Sequence, residues 1–167
     1  RDWSSDVCSS DLEGPFVTEQ INETGDKIRE QGHEFGVTTG RPRRCGWFDA
    51  VIVKYAARVN GLTSISFMLL DVLTGFDKIK VCTSYKMGDK IITDFPASLD
   101  DLAKCEPVYE ELDGWNEDIT QIDNFDDLPE NAKKYVAKIE ELVGVSVDMV
   151  SVGPNRAQTI IRRNIFA

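Results

Sequence analysis

The amino-acid sequence predicts an α/β fold, on three observations. Apolar residues recur at helical spacing over residues 47–59 and again over 132–143. Apolar runs of strand length, at 65–73, 78–85 and 145–150, alternate with them. Two polar residues, Asp71 and Ser151, fall at or near the ends of such runs, where open α/β sheets place their ligands.

Each element has its own signal. Gly14-Pro15 opens a loop, and Thr24-Gly25 reads as a second turn. Residues 32–46, GHEFGVTTGRPRRCG, are too rich in glycine to be regular and read as a cationic loop. In 47–59, Phe48, Val51, Ile52, Tyr55 and Val59 form one face, Lys54 and Arg58 the other, and Asn60-Gly61 the stop. This predicts a mostly buried helix. ISFMLLDVL (65–73) predicts an interior strand interrupted by Asp71. Residues 78–85 and 90–95, joined by Met87-Gly88-Asp89, predict a hairpin, and 107–112 a short strand. Pro129 stands at a helix start, and Ala132, Tyr135, Val136, Ile139, Leu142 and Val143 make a stripe that Gly144 closes. Residues 145–150 are then a strand running into Ser151-Val152-Gly153-Pro154.

Composition narrows the function. The 167 residues carry 19 Lys and Arg against 29 Asp and Glu, a formal charge of -10. Affinity for nucleic acid or anionic membranes rests on basic surface, so neither partner is expected. No apolar run approaches the length of a membrane-spanning helix. Cys8, Cys45, Cys82 and Cys105 are scattered and His33 is the single histidine, so no zinc site or disulfide framework is expected, and a reducing, cytoplasmic location is. The cysteines are expected to be buried as small hydrophobes.

Three constellations could carry chemistry. In Thr38-Thr39-Gly40-Arg41-Pro42-Arg43-Arg44, guanidinium groups two residues apart on a proline-stiffened segment can converge on one anion. Hydroxyls and a glycine amide add neutral donors, whereas Arg44 suits a solvated turn paired with surface acids. In Leu69-Leu70-Asp71, a carboxylate closes an apolar segment. One carboxylate can accept from both donors on guanine's edge, and adenine, which has an acceptor there, would be repelled. A helix or turn cap is the plainer reading of that residue. In Ser151-Val152-Gly153-Pro154-Asn155-Arg156, a serine and a glycine at a strand end can present backbone amides to a base carbonyl, although such a turn is common.

Taken in order, these stretches resemble the carboxyl-terminal part of adenylosuccinate synthetases. The resemblance rests on EGPFVTE (13–19), GHEFGVTTGRPRRCGWFD (32–49), LDVLTG (70–75), EPVYEELDGW (106–115), IEELVGV (139–145) and SVGPNR (151–156). It implies part of a mostly parallel-sheet nucleotide-binding fold akin to P-loop GTPases, with a β-hairpin excursion. It also implies a purine-biosynthetic ligase that uses GTP and magnesium to join IMP and L-aspartate, in a homodimer. By matching position, residues Val37, Thr38, Thr39, Gly40, Arg41, Pro42 and Arg43 would form the aspartate loop, with Thr39, Arg41 and Arg43 holding the aspartate carboxylates. Arg41 would also reach IMP. Arg43, Leu69, Leu70, Asp71, Ser151, Val152 and Gly153 would contact GTP.

Leu69 departs from the family's usual lysine, and Pro42 replaces a common arginine. No stretch matches the family's GDEGKG phosphate loop, and His33 lies outside its catalytic histidine motif. No catalytic residue and no metal ligand are therefore assigned to this chain, and catalysis by it alone is not expected. Magnesium is expected to sit on the amino-terminal part. A stand-alone module that binds a nucleotide or dicarboxylate without catalysis is the alternative. Residues 1–12, RDWSSDVCSSDL, carry no regular period and read as a leader foreign to the domain of 13–167, such as a cloning or sequencing scar.

Overall fold

A computed structural model describes residues 8–10 and 14–163. The predicted leader falls mostly outside these residues. In chain order the elements are β1 (Cys8–Ser10), α1 (Glu23–Gln31), β2 (Arg44–Gly46), β3 (Phe48–Asp49), α2 (Ala50–Asn60) and β4 (Ser64–Phe67). A 3-10 turn (Leu70–Leu73) precedes β5 (Lys78–Met87), β6 (Lys90–Ile92), α3 (Leu99–Leu102), β7 (Glu106–Asp113) and α4 (Glu130–Val143). The described chain ends in β8 (Ser146–Ser151) and β9 (Thr159–Ile161).

Two mixed sheets organise the core. In the first, β5 is central, antiparallel to β7 along one edge and to β6 on the other, which it shares with the parallel β3. In the second, β8 lies between parallel β4 and antiparallel β9. The α/β class and the hairpin (β5–β6) thus hold, with parallel and antiparallel pairings mixed. β1, within the predicted leader, pairs antiparallel with β2.

Helix α4 follows its sequence pattern closely. Ala132, Tyr135, Val136, Ile139 and Val143 are buried, and Gly144 ends the helix in the left-handed conformation that glycine enters without steric cost. Tyr135 packs against Phe67 and Trp115, with ring centroids 5.8 and 6.2 Å away, so α4 joins the two sheets.

Five expectations are corrected. Helix α2 starts three residues late, because Phe48 and Asp49 form β3 and Asp49 caps the helix through bonds from the Val51 and Ile52 amides. The helix is also not mostly buried: Ile52, Tyr55 and Val59 are exposed, and it buries only Ala50, Val51 and Ala57. The strand predicted over 65–73 stops at Phe67. Leu69 then turns left-handed (φ 62°), and a 3-10 turn buries Leu70, Val72 and Leu73, which an extended chain would split between two faces. The turn predicted at Thr24-Gly25 is instead the start of α1, capped by Asn22. Gly25 serves close approach there, since a Cβ would lie 1.9 Å from the Gln20 carbonyl oxygen. Strand β7 is longer than expected because it pairs along most of β5. Cys45 and Cys82 are buried, as expected, while Cys105 is half-buried.

Asp49 ties β3, α2 and β5 together. Its Oδ1 caps the helix, and its Oδ2 accepts a 2.6 Å hydrogen bond from the Tyr85 hydroxyl in the core. Burial pushes its carboxyl above the usual range, against the lowering effect of those donors. Asp49→Ala should destabilise the fold by about 2–4 kcal/mol, from a lost helix cap and a lost buried hydrogen bond to the Tyr85 hydroxyl. Urea unfolding of wild type and variant measures this, and a change under about 0.5 kcal/mol, typical of an indifferent surface site, would contradict it.

Candidate functional site

The cationic loop grows out of the end of α1. His33 takes a left-handed conformation (φ 50°) after Gly32, and the Glu34 amide donates to the Arg29 carbonyl at 2.9 Å. This six-to-one closure is a Schellman cap, and it turns the chain so that Glu34 points inward. His33 has a structural role in this cap and is exposed. The chain then runs out and back: Gly36 donates to the Arg41 carbonyl at 2.8 Å, Gly40 to the Gly36 carbonyl at 2.7 Å, and Phe35 bridges Pro42.

The tip presents Val37, Thr38, Thr39, Gly40, Arg41 and Pro42 to solvent, with Val37 98% exposed. The Thr39 hydroxyl accepts from the Arg41 amide at 3.3 Å. Among the described residues the Arg41 guanidinium makes no ion pair. Arg43 is different. It is half-buried, its Nη1 donates to Glu34 Oε2 at 3.1 Å, and its carbonyl accepts from Arg29 Nε at 2.8 Å.

Arg44 meets an acid, as expected, but on a partly buried site. Its guanidinium forks onto both Glu19 oxygens at 2.9 and 2.5 Å and donates to the Gly14 carbonyl at 2.8 Å. It holds the 14–19 segment against β2.

The second and third constellations come together although about eighty residues separate them. The Ser151 hydroxyl donates to the Gly153 carbonyl at 2.9 Å and accepts from the Leu69 amide at 3.4 Å. One side chain thus ties the turn after β8 to the turn after β4. Asp71 therefore stands in a 3-10 turn beyond a strand, not within one. Its Oδ1 is buried and has no hydrogen-bond partner among the described residues. Burial raises its carboxyl above the usual range, against the lowering effect of its own backbone amide, and the charge of Asp118 adds to the rise. A buried acceptor left open is costly, and such a cost is retained where a ligand supplies the donors.

Neighbours absent from the sequence-level expectations frame this turn. Gln158 lies over Gly153, where a Cβ would come within 2.5 Å of the amide. Its Nε2 donates to the Thr120 carbonyl at 2.9 Å and its Oε1 accepts from the Asn155 amide at 3.0 Å. Trp115 fixes the far end of the Leu70–Leu73 turn, donating from Nε1 to the Thr74 hydroxyl at 3.1 Å. Only Glu34, an acid inside a cationic loop, left a visible signal in the sequence.

Helix α1 brings the loop and the turn near each other: Gly32 lies against Val72, and Gln31 Nε2 donates to the Thr74 carbonyl at 3.2 Å. A separate groove of about 360 Å³, lined by Val51, Tyr55, Phe95 and Val143 among others, shares no residue with either. Among the described residues no three His, Cys, Asp or Glu side chains are grouped to hold a metal ion. No described helix is long and apolar enough to cross a membrane.

Comparison with known proteins agrees with the motif resemblance. The sequence model of the adenylosuccinate synthetase family matches residues 7–160. An adenylosuccinate synthetase of Alkaliphilus metalliredigens is 60% identical over 153 residues, covering 92% of this chain and 36% of that protein. One from Listeria innocua is 58% identical over 154 residues, with coverages of 92% and 36%. The solved structure of fully ligated adenylosuccinate synthetase from Plasmodium falciparum superposes with a TM-score of 0.91 at 38% identity, covering 96% of this chain and 39% of that one. The chain spans about 36% of the length of the curated relatives it matches. With a family match over most of its length and a shared fold, this chain belongs to the adenylosuccinate synthetase family.

Proposed function

We propose that this chain supplies the guanine-reading and aspartate-binding parts of an enzyme that joins IMP and L-aspartate to adenylosuccinate at the expense of GTP. The observation that carries it is the buried Oδ1 of Asp71, without a hydrogen-bond partner among the described residues, beside a turn pinned by Ser151. An ionised carboxylate there accepts from guanine's ring N–H and exocyclic amine, and offers nothing to adenine. Leu69 and Leu70 contribute packing, and the Gly153 amide is offered to the base carbonyl, since the Val152 amide already donates to the Gln158 carbonyl at 2.9 Å.

The exposed loop tip handles the second substrate. Thr39, Arg41 and Arg43 hold the aspartate carboxylates, with Val37, Thr38, Gly40 and Pro42 shaping the loop. Arg41 also reaches IMP, and Arg43 lies toward GTP. In the full reaction GTP phosphorylates the 6-oxygen of IMP, and the aspartate amine displaces that phosphate. Charge-assisted bonds from the arginines fix the amine's carrier while leaving the amine itself unpaired. By the family resemblance, magnesium is assigned to the amino-terminal part of the enzyme. The enzyme is read as a cytoplasmic homodimer.

A full-length family member carrying this region in place of its own tests the reading. Adenylosuccinate formation that depends on GTP, IMP and aspartate is expected, and a folded but inactive hybrid would contradict it. The 167-residue chain alone is expected to form none, because phosphoryl transfer needs a phosphate loop and a general base that its sequence does not contain. Chromatographic detection of adenylosuccinate from the purified chain would overturn that expectation.

A further inference from the structure

The loop that presents Arg41 and Arg43 is anchored by an acid with no stated role. Glu34 is one of a few buried charged residues among those described, its side chain 7% exposed. Burying a carboxylate is costly unless it is paired, and Glu34 meets Arg43 twice. Its Oε2 accepts from Arg43 Nη1 at 3.1 Å, and its carbonyl accepts from the Arg43 amide at 3.0 Å.

The pair is held from below. Arg29 Nε donates to the Arg43 carbonyl at 2.8 Å, while Arg29 Nη1 is itself fixed by Asp26 at 2.6 Å. The Schellman closure of α1, with His33 left-handed, aims Glu34 at this spot. Backbone, helix end and carboxylate thus converge on one guanidinium at the base of an exposed loop. A solvated surface arginine needs no such support. A stability role alone would be met equally well by an apolar pair, which often matches or exceeds a buried ion pair.

We propose that Glu34 is the positioning residue of the aspartate loop, fixing the Arg43 guanidinium so that its ligand-facing donors and the loop tip are oriented before substrate arrives. Pre-orientation removes the ordering cost from binding, so its loss raises KM for the ligand those donors hold. This inference rests on the aspartate-loop reading above.

The test uses the full-length hybrid with three variants. Glu34→Ala should raise KM for aspartate roughly tenfold to a hundredfold, the range set by losing one charge-assisted contact. KM for IMP should change less than about threefold, since Arg41 keeps its own anchor on Thr39. Glu34→Gln preserves shape and an acceptor oxygen, so it should recover most of the loss and protects the test against misfolding of the alanine variant. Parallel rises in the KM of every substrate, tracking a fall in Tm, would make Glu34 merely structural and overturn the proposal. Unchanged aspartate KM in both Glu34 variants, with Arg41→Leu still impaired, would overturn it while leaving the aspartate-loop reading intact. If Arg41→Leu also leaves aspartate use unchanged, the loop reading fails and the proposal with it.

Discussion

Asp71→Asn in a full-length synthetase carrying this region should shift nucleotide use from GTP toward XTP. The amide is nearly isosteric, but it replaces one acceptor with a donor that faces guanine's own donors. Xanthine has a carbonyl where guanine has its amine, so the mutant amide matches it. The expected discrimination is about 2–4 kcal/mol, because a mismatch leaves buried polar groups unpaired. Steady-state kinetics with both nucleotides measure it, and unchanged GTP use would return Asp71 to a structural cap.

The same variant should not weaken the fold. Burial raises the Asp71 carboxyl above its ordinary range, so its favourable, protonated state is lost as pH rises through the folded-state value. At neutral pH the ionised group is therefore a burden on stability, which asparagine removes. Reduced GTP binding with equal or higher Tm is the signature of a residue kept for its ligand. The sign for binding is opposite. Guanine needs the ionised form, so KM for GTP should rise as pH falls, beginning at a higher pH than an ordinary aspartate would allow. Asp71→Asn should lack that acid limb.

Arg41→Leu should impair aspartate use by about 1.5–3 kcal/mol in kcat/KM, or roughly ten- to a hundred-fold. Its guanidinium has no ion-pair partner among the described residues, so little stability should be lost. Arg44→Leu gives the contrast. It breaks the partly buried fork onto Glu19, so it should lower Tm while leaving KM for aspartate near wild type. Arg43→Leu should do both, since it removes a donor of the site and strands the buried Glu34 carboxylate. Equal, small effects at all three arginines would reduce the loop to a solvated turn.

These contrasts show where the sequence stops being informative. Arg41, Arg43 and Arg44 look alike as letters, yet one is open at the loop tip, one rests on a buried acid and one pins a distant segment. Partner choice depends on Glu34 and Glu19, which the chain brings close only after α1 is capped and β2 is in place. Helix α1 itself was hidden because Gly25 reads locally as a turn residue, whereas its reason is contact with Gln20.

By itself the sequence determined the α/β class, the α4 stripe with its glycine stop, the β5–β6 hairpin and the motifs that mark the family. All of these are encoded in residue types over a few positions, through periodicity, turn chemistry or direct likeness. Only the tertiary structure decided that the run over 65–73 breaks into a strand and a 3-10 turn, because burial of Leu70, Val72 and Leu73 outweighs strand propensity. It alone brought Ser151 to Leu69, left Asp71 Oδ1 buried and open, and set Glu34 beneath Arg43. Such outcomes turn on desolvation and hydrogen-bond partners supplied from far along the chain, and no local pattern carries them.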